Sequence, residues 1–427
     1  MERKKQLILI TIGIILYFMA NVQRVAVPGS IFNLLQQDLN VTAPYVTALG
    51  ASFMYIYAIC QLIIGLMVDK YSGNRVIAFG SAFFCLGSII FPLANNLPLL
   101  YFSRALVGLG ASTIYLSLIK EIKRTFSSSN FGLVLSLALL VGYMGGIFAS
   151  APLVVFVKNV GWREALFIIG LITAIVSFLF VCIYIASKKA PVNKNVKFNF
   201  EPFKLVLRNK KNLHLYTFAV LNYGMYYVLQ TVIGMKFVQD FCMITVEKAA
   251  LILSFMAALY AIAGTVLAYL SKIFYTRKVI FLKIIGGSTL TIFTVISILL
   301  FFDIKANYLL AGGLLLLSGT ASLSPLLVPL LHETNDKNVS GTAVSIMTSL
   351  FSFCVALLGS ITGILMNVYP PKNIDGVLVY SNQSYLLIFL LFVILAVISL
   401  LNVLKLKDSP KTKRLISMKN AHIHIGW

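Results

Sequence analysis

Long apolar stretches alternate with short polar ones along the whole chain. Twelve such stretches stand out, at roughly 7–34, 45–68, 76–97, 99–119, 131–157, 163–187, 213–238, 246–271, 279–302, 307–331, 341–368 and 385–404. A helix needs about 20 apolar residues to cross a bilayer, and each stretch is near that length or beyond it. None shows the two-residue alternation of a membrane β-barrel strand. The pattern therefore predicts an all-α membrane protein with 12 transmembrane helices. The longest stretches have room to tilt or bend. Internal breakers such as Pro28, Gly142, Gly146, Pro152, Pro325 and Pro329 are tolerated where neighbouring helices re-satisfy the backbone.

The longest polar stretch splits the spans six and six. It predicts an N-terminal six-helix bundle (1–187), a cytoplasmic linker (188–212), a C-terminal six-helix bundle (213–406) and a cytoplasmic tail (407–427). In the linker, Glu201-Pro202 suits a helix start. Phe203, Val206 and Leu207 share one helical face, with Lys204, Arg208 and Lys211 largely on the other. This fits either a short interfacial helix or a solvated basic linker. The halves look weakly repeated. Gln37-Asp38, Lys70 and Arg75 meet Gln239-Asp240, Lys272 and Arg277 at an offset of 202, and Ala111-Ser112 resembles Ala321-Ser322 at 210. Duplicated halves are a recurrent plan for secondary transporters, with the site between them near the midplane.

Composition agrees: 59% of residues are hydrophobic, only 11% are charged, and mean hydropathy is +0.92. This excludes a soluble domain, a disordered chain and a disulfide-rich secreted module. The net charge of +22 would suggest nucleic acid on a soluble protein. Sorted by side, 27 of the 35 Lys and Arg fall in the segments that share the N-terminal side and 6 in the opposite ones. The positive-inside rule then places both termini in the cytoplasm, and the expected location is the plasma (inner) membrane. No segment is long enough to build a basic nucleic-acid surface. The first span is too long, and lacks the cleavage site, for a signal peptide. The five cysteines are scattered and the four histidines form no cluster, so neither metal nor cofactor is expected.

The loop after the second span reads Gly65-Leu-Met-Val-Asp69-Lys70-Tyr-Ser-Gly73-Asn-Arg75. It resembles the signature loop of the major facilitator superfamily (MFS). It departs from that signature in having Ser72 at the usual glycine position, Gly73 one residue late, and one closing basic residue instead of two. Arg104-Ala-Leu-Val-Gly108-Leu-Gly110, the run from Gly142 to Pro152, Gly161-Trp162-Arg163 and Gly341-Thr342 are similar to further segments of that family. The antiporter pattern of the fifth span is absent, since Ile147 follows Gly146. The resemblance implies two pseudo-symmetric bundles, a functional monomer and alternating access. It also implies a cavity lined by spans 1, 2, 4, 5, 7, 8, 10 and 11. A carboxylate at Asp69 would lie near the N-terminus of span eleven, whose partial positive charge it would favour. Lys70 or Arg75 could then pair with Glu121. Gly65, Asp69, Lys70, Gly73, Arg75 and Glu121 form the expected inner gate; the alternative is surface charge that only sets topology.

Charges inside a membrane are costly and are functional candidates by default. The thirteen acidic residues all fall at span ends or in loops, whereas Arg24 lies mid-span and Arg104 nearer the outer surface. Without a mid-membrane carboxylate, proton symport through such a group is disfavoured. Exchange, facilitated diffusion, or coupling through the substrate or Glu121 stay open. Helical spacing gathers Tyr17, Asn21 and Arg24 on one face. Span two adds Tyr57 and Gln61, and span seven Asn222, Tyr223, Tyr226, Tyr227 and Gln230. A guanidinium suits carboxylate or phosphate by paired hydrogen bonds. Arg24 therefore either docks the acid group of an anionic or zwitterionic solute, or holds backbone carbonyls at the Gln23–Pro28 kink. Arg104 is a second candidate, with snorkelling or packing as its alternative. A membrane enzyme would need a catalytic constellation that no span supplies. The expected function is secondary active or facilitative transport of a small solute. A coupled ion or proton and the lipid bilayer are the other expected partners. A transporter-like sensor, or a lipid flippase on the same fold, is the alternative.

Overall fold

The computed structural model describes residues 2–187, 201–273, 278–336 and 339–406. Eleven helical stretches among them are long and apolar enough to cross a bilayer. The first crossing is α1 (Glu2–Ala26), a 3-10 turn (Gly29–Ile31) and α2 (Phe32–Leu39). It bends at Pro28, which follows a cis peptide bond and can neither donate nor continue the helix. Then come α3 (Ala43–Tyr71), α4 (Gly73–Leu93) and α5 (Leu97–Thr125). The fifth crossing is split into α6 (Ser128–Phe148) and α7 (Ala151–Val160), with Pro152 in the first turn after the break. α8 (Trp162–Ile185) closes the first bundle.

A short helix, α9 (Glu201–Arg208), precedes the second bundle. The seventh crossing combines α10 (Lys210–Val228), one π-helical turn (Leu229–Ile233) and α11 (Gly234–Cys242). α12 (Val246–Ile273) and α13 (Lys278–Phe301) follow. The tenth crossing breaks between α14 (Asn307–Ala321) and α15 (Ser324–Thr334), with Pro325 at the restart. α16 (Ser340–Met366) and α17 (Asn382–Leu404) complete twelve crossings in two six-helix bundles. Between these last two lies an antiparallel hairpin, β1 (Lys372–Ile374) and β2 (Val377–Val379), in the register Lys372↔Val379. Asp375 and Gly376 carry the positive φ angles, 50° and 79°, of a two-residue hairpin turn. The hydrophobic pattern did not predict this hairpin, because three-residue strands leave no periodic signal.

Leu133, Phe178 and Leu316 point outward and are exposed, an arrangement suited to a lipid solvent rather than water. The bundles meet chiefly through α3 against α16 and through α6 and α7 against α12. An even number of crossings puts the described ends, Glu2 and Leu406, on one face, here the terminal face. The hairpin lies on the opposite, distal face. On α9, Val206 is fully buried against the second bundle, whereas Leu207 is exposed. The expected shared face of Phe203, Val206 and Leu207 therefore narrows to Val206 with half-buried Phe203. The reason is local: Asn212 donates to the Val206 carbonyl at 2.9 Å and Asn209 to that of Thr334 at 3.0 Å. These bonds fix the helix on protein rather than on lipid. Residues 188–200 and the tail 407–427 lie outside the described residues.

Candidate functional site

A cavity of about 80 Å³ lies where the two bundles face each other. On α1, Tyr17 and Arg24 stand two turns apart and point the same way. Tyr57 and Gln61 on α3, Tyr223 and Tyr227 on α10, and Thr348 and Ser352 on α16 are each spaced i, i+4, so each pair presents one face. Tyr115, Tyr143 and Tyr260 come from α5, α6 and α12. Among the described residues the lining thus holds seven tyrosines, one arginine and no carboxylate.

Arg24 Nη1 donates to the Tyr227 hydroxyl at 3.4 Å. Its guanidinium carbon sits 4.8 Å from the Tyr57 ring centre, within cation–π range. Its Nε is buried without a partner. Gln61 is fully buried; its Oε1 accepts from Thr348 Oγ1 at 3.5 Å and its Nε2 has no partner. Tyr223 stacks between Tyr227 (4.8 Å) and Phe351 (4.4 Å). The cavity therefore offers positive charge, unspent donors and aromatic faces, which together suit a ligand bearing an oxyanion.

Of the residues singled out in the sequence, Tyr17, Arg24, Tyr57, Gln61, Tyr223 and Tyr227 line this cavity. Asn21, Tyr226 and Gln230 line a smaller space of about 30 Å³, which shares Tyr143, Tyr227 and Tyr260 with the first. Two candidates face neither. Asn222 donates to the Phe218 carbonyl at 2.8 Å and to Ser399 Oγ at 2.5 Å, tying α10 to α17. Arg104 is 1% exposed and donates to the carbonyls of Gln23 and Val27, each at 3.1 Å, and of Leu49 at 3.4 Å. The role weighed for Arg24, holding carbonyls at the kink, belongs to Arg104. α1 ends at Ala26, ahead of Pro28, so carbonyls at the break lack helical donors, and a cation from α5 takes those of Gln23 and Val27.

Tyr115, Tyr143 and Tyr260 were not anticipated. Each is a lone tyrosine in an apolar run, and no spacing marks it. A signal did exist on α16, where Ser345, Thr348, Ser349 and Ser352 recur at helical spacing. Ser349 Oγ donates to the Ala58 carbonyl on α3 at 2.8 Å.

At the terminal face, Gly65 lies on α3 beside Ser345 of α16, whose Oγ is 3.4 Å from where a Cβ on Gly65 would sit, an ordinary contact distance. Glu121 is buried. It accepts from the backbone N–H groups of Gly73 (2.7 Å) and Asn74 (3.2 Å), capping α4. Its ion-pair partner is Arg124 at 2.6 Å, in place of the expected Lys70 or Arg75. Arg75 and Lys70 both lie against the Tyr71 ring. The Asp69 side chain lies outside the described residues. Ser72 has φ 82°, a conformation that favours glycine.

The distal face is closed by bonds between bundles. Asn33 donates to Gln239 Oε1 at 2.9 Å, and Ala151 N–H to Ser254 Oγ at 2.9 Å. Lys158 pairs with Glu247 at 2.5 Å. The Tyr380 hydroxyl accepts from Gln36 Nε2 (2.7 Å) and from Ala43 N–H (2.9 Å). Behind it lies a buried ion pair, Lys236 with Asp240, at 2.8 Å. Asp240 also accepts from Tyr380 N–H (3.0 Å) and the Tyr385 hydroxyl (2.7 Å). Lys236 is one of the six basic residues that the sequence assigns to the side opposite the N-terminus. It turns inward because α11 continues past it and brings Asp240 one turn away on the same face.

Residues 10–360 match the sequence family described as Major Facilitator Superfamily. The chain is similar to the probable sulfoacetate transporter SauU of Cupriavidus necator, 21% identical over 159 residues, 37% of this chain and 37% of that one. It is also similar to the chloroplastic ascorbate transporter of Arabidopsis thaliana, 24% identical over 156 residues, 36% of this chain and 29% of that one. The chain spans about a third of the length of these curated relatives. Its fold resembles the crystal structure of a bacterial homologue of the human lysosomal transporter Spinster, in an inward-facing and unoccupied conformation. The TM-score is 0.74 at 14% identity, covering 95% of this chain and 99% of that one. With twelve crossings in two bundles and a family match from residue 10 to residue 360, this chain is a multi-pass integral membrane protein that belongs to the Major Facilitator Superfamily.

Proposed function

We propose that the protein carries a small anionic or zwitterionic solute by alternating access, the two bundles rocking about the site at Arg24. The observation that carries this reading is a guanidinium that lines a shared cavity, with no carboxylate among the described lining residues and with its Nε unspent. A permanent charge in that setting is completed by an anion. Relatives named for sulfoacetate and ascorbate are consistent with it. The terminal face is read as cytoplasmic, since 27 of the 35 basic residues lie in its segments. The loop from Gly65 to Arg75 is read as the gate that closes this face once the distal contacts open, with Asp69 at the start of α16. An Asp69→Asn protein with unchanged transport and unchanged state populations would remove that role.

The decisive experiment is counterflow in proteoliposomes, with a ligand-induced thermal-shift screen on the purified protein. Arg24→Lys should bind more weakly and Arg24→Gln should lose binding by roughly 10–100-fold, the value of a hydrogen bond to a charged group. Normal affinity in both variants rejects the anion site. Ligand binding without counterflow identifies a sensor instead of a carrier, and phospholipid translocation a flippase.

A further inference from the structure

The cavity at Arg24 has an annex. Its walls include Asn21, Tyr226 and Gln230, and Tyr143, Tyr227 and Tyr260 separate it from the main space. Most polar groups here are already spent. Asn21 Nδ2 donates to the Tyr17 carbonyl at 2.9 Å, and the Tyr226 hydroxyl to that of Met256 at 3.2 Å. Gln230 differs: it is 6% exposed, and its Nε2 has no partner. Buried polar groups are nearly always paired, so an unpaired one calls for an explanation. Gln230 also lies in the π-helical turn Leu229–Ile233, and such turns concentrate at functional sites.

Position and size narrow what could complete it. Gln230 follows Tyr227, which receives Arg24, by three residues, or about 4.5 Å along a helix axis. A water needs about 10–15 Å³ of such space. The annex, at about 30 Å³, has room for two or three such volumes and so admits a terminal oxygen function, and the main space, at about 80 Å³, a small body. The neck between them includes the rings of Tyr143 and Tyr260, 5.6 Å apart and edge to face, one from each bundle.

We infer that Gln230 forms a second subsite, which takes a hydrogen-bond acceptor carried about one helical turn from the acid group docked on Arg24. This rests on the reading of Arg24 as an anion site. The substrate class is then a small organic acid with a second oxygen function (a keto acid, hydroxy acid or diacid) rather than a plain monoacid.

The test uses the purified full-length protein and three acids of one chain length: valerate, 4-oxovalerate and glutarate. Affinities come from thermal-shift titration. In the wild type, 4-oxovalerate or glutarate should bind about tenfold tighter than valerate. In Gln230→Met, which keeps length without the amide, that ratio should fall to near one. Gln230→Asn, milder for folding, should give an intermediate ratio. Arg24→Gln should lose all three acids. Equal binding of the three acids to the wild type, or a preserved ratio in both Gln230 variants, overturns the subsite while leaving Arg24 in place. Undiminished binding in Arg24→Gln overturns the underlying anion reading instead. A wild type that binds none of the three overturns the substrate class.

Discussion

Arg24 and Tyr227 meet across the two bundles, with Nη1 3.4 Å from the phenol oxygen. Both side chains also line the cavity, so this contact joins the solute site to the bundle interface. Removing the hydroxyl takes an acceptor from a cation whose Nε is already unspent. Tyr227→Phe should weaken solute binding by about 3–10-fold, the net worth of one hydrogen bond. Titrated thermal shifts would show this, and the loss should be smaller than in Arg24→Gln. A loss as large as that of Arg24→Gln would mean the phenol itself binds the solute.

Arg104 makes a different prediction from Arg24, although both are arginines within the membrane. Its three carbonyl acceptors hold the bend of the first crossing against α3 and α5. Arg104→Gln should lower stability by about 2–4 kcal/mol, since charge-assisted bonds are lost and buried carbonyls are stranded. The protein that remains folded should retain solute affinity. Unfolding curves and binding titrations on the same sample separate the two effects. A selective loss of affinity at unchanged stability would return Arg104 to the site.

The Lys236–Asp240 pair is buried on both sides, with side-chain exposures of 1% and 3%. Removing one partner leaves an uncompensated charge and should cost about 3–5 kcal/mol. Lys236→Met and Asp240→Asn should each destabilise the protein more than the double variant does. A double-mutant cycle on melting in detergent measures the coupling. Strictly additive losses would show that the pair does not act as a unit.

Much of the architecture is legible in the amino-acid sequence. Twelve apolar runs of bilayer length admit few folds, because backbone polar groups in lipid must be satisfied within a helix. The line of Tyr17, Arg24, Tyr57, Gln61 and Tyr223 was legible too, since helical spacing makes each segment present its polar residues on one face. Spacing carries no information about which face meets which helix. Asn222 sits in the same polar run as Tyr223, yet it points to Ser399 on α17. Tyr115, Tyr143 and Tyr260 are single residues in apolar runs, and only the assembled cavity shows that they converge.

The sequence by itself determined the solvent of the protein, the number of crossings, the division into two halves and the family signature. These follow from local periodicity, segment length and charge count, which need no knowledge of neighbours. The tertiary structure alone decided which intramembrane charges are spent. Arg104 is taken up by three carbonyls around the bend at Pro28, and Lys236 by Asp240 one turn away. Arg24 keeps an open donor at the cavity. Partner geometry sets that difference, and it arises only when distant helices pack.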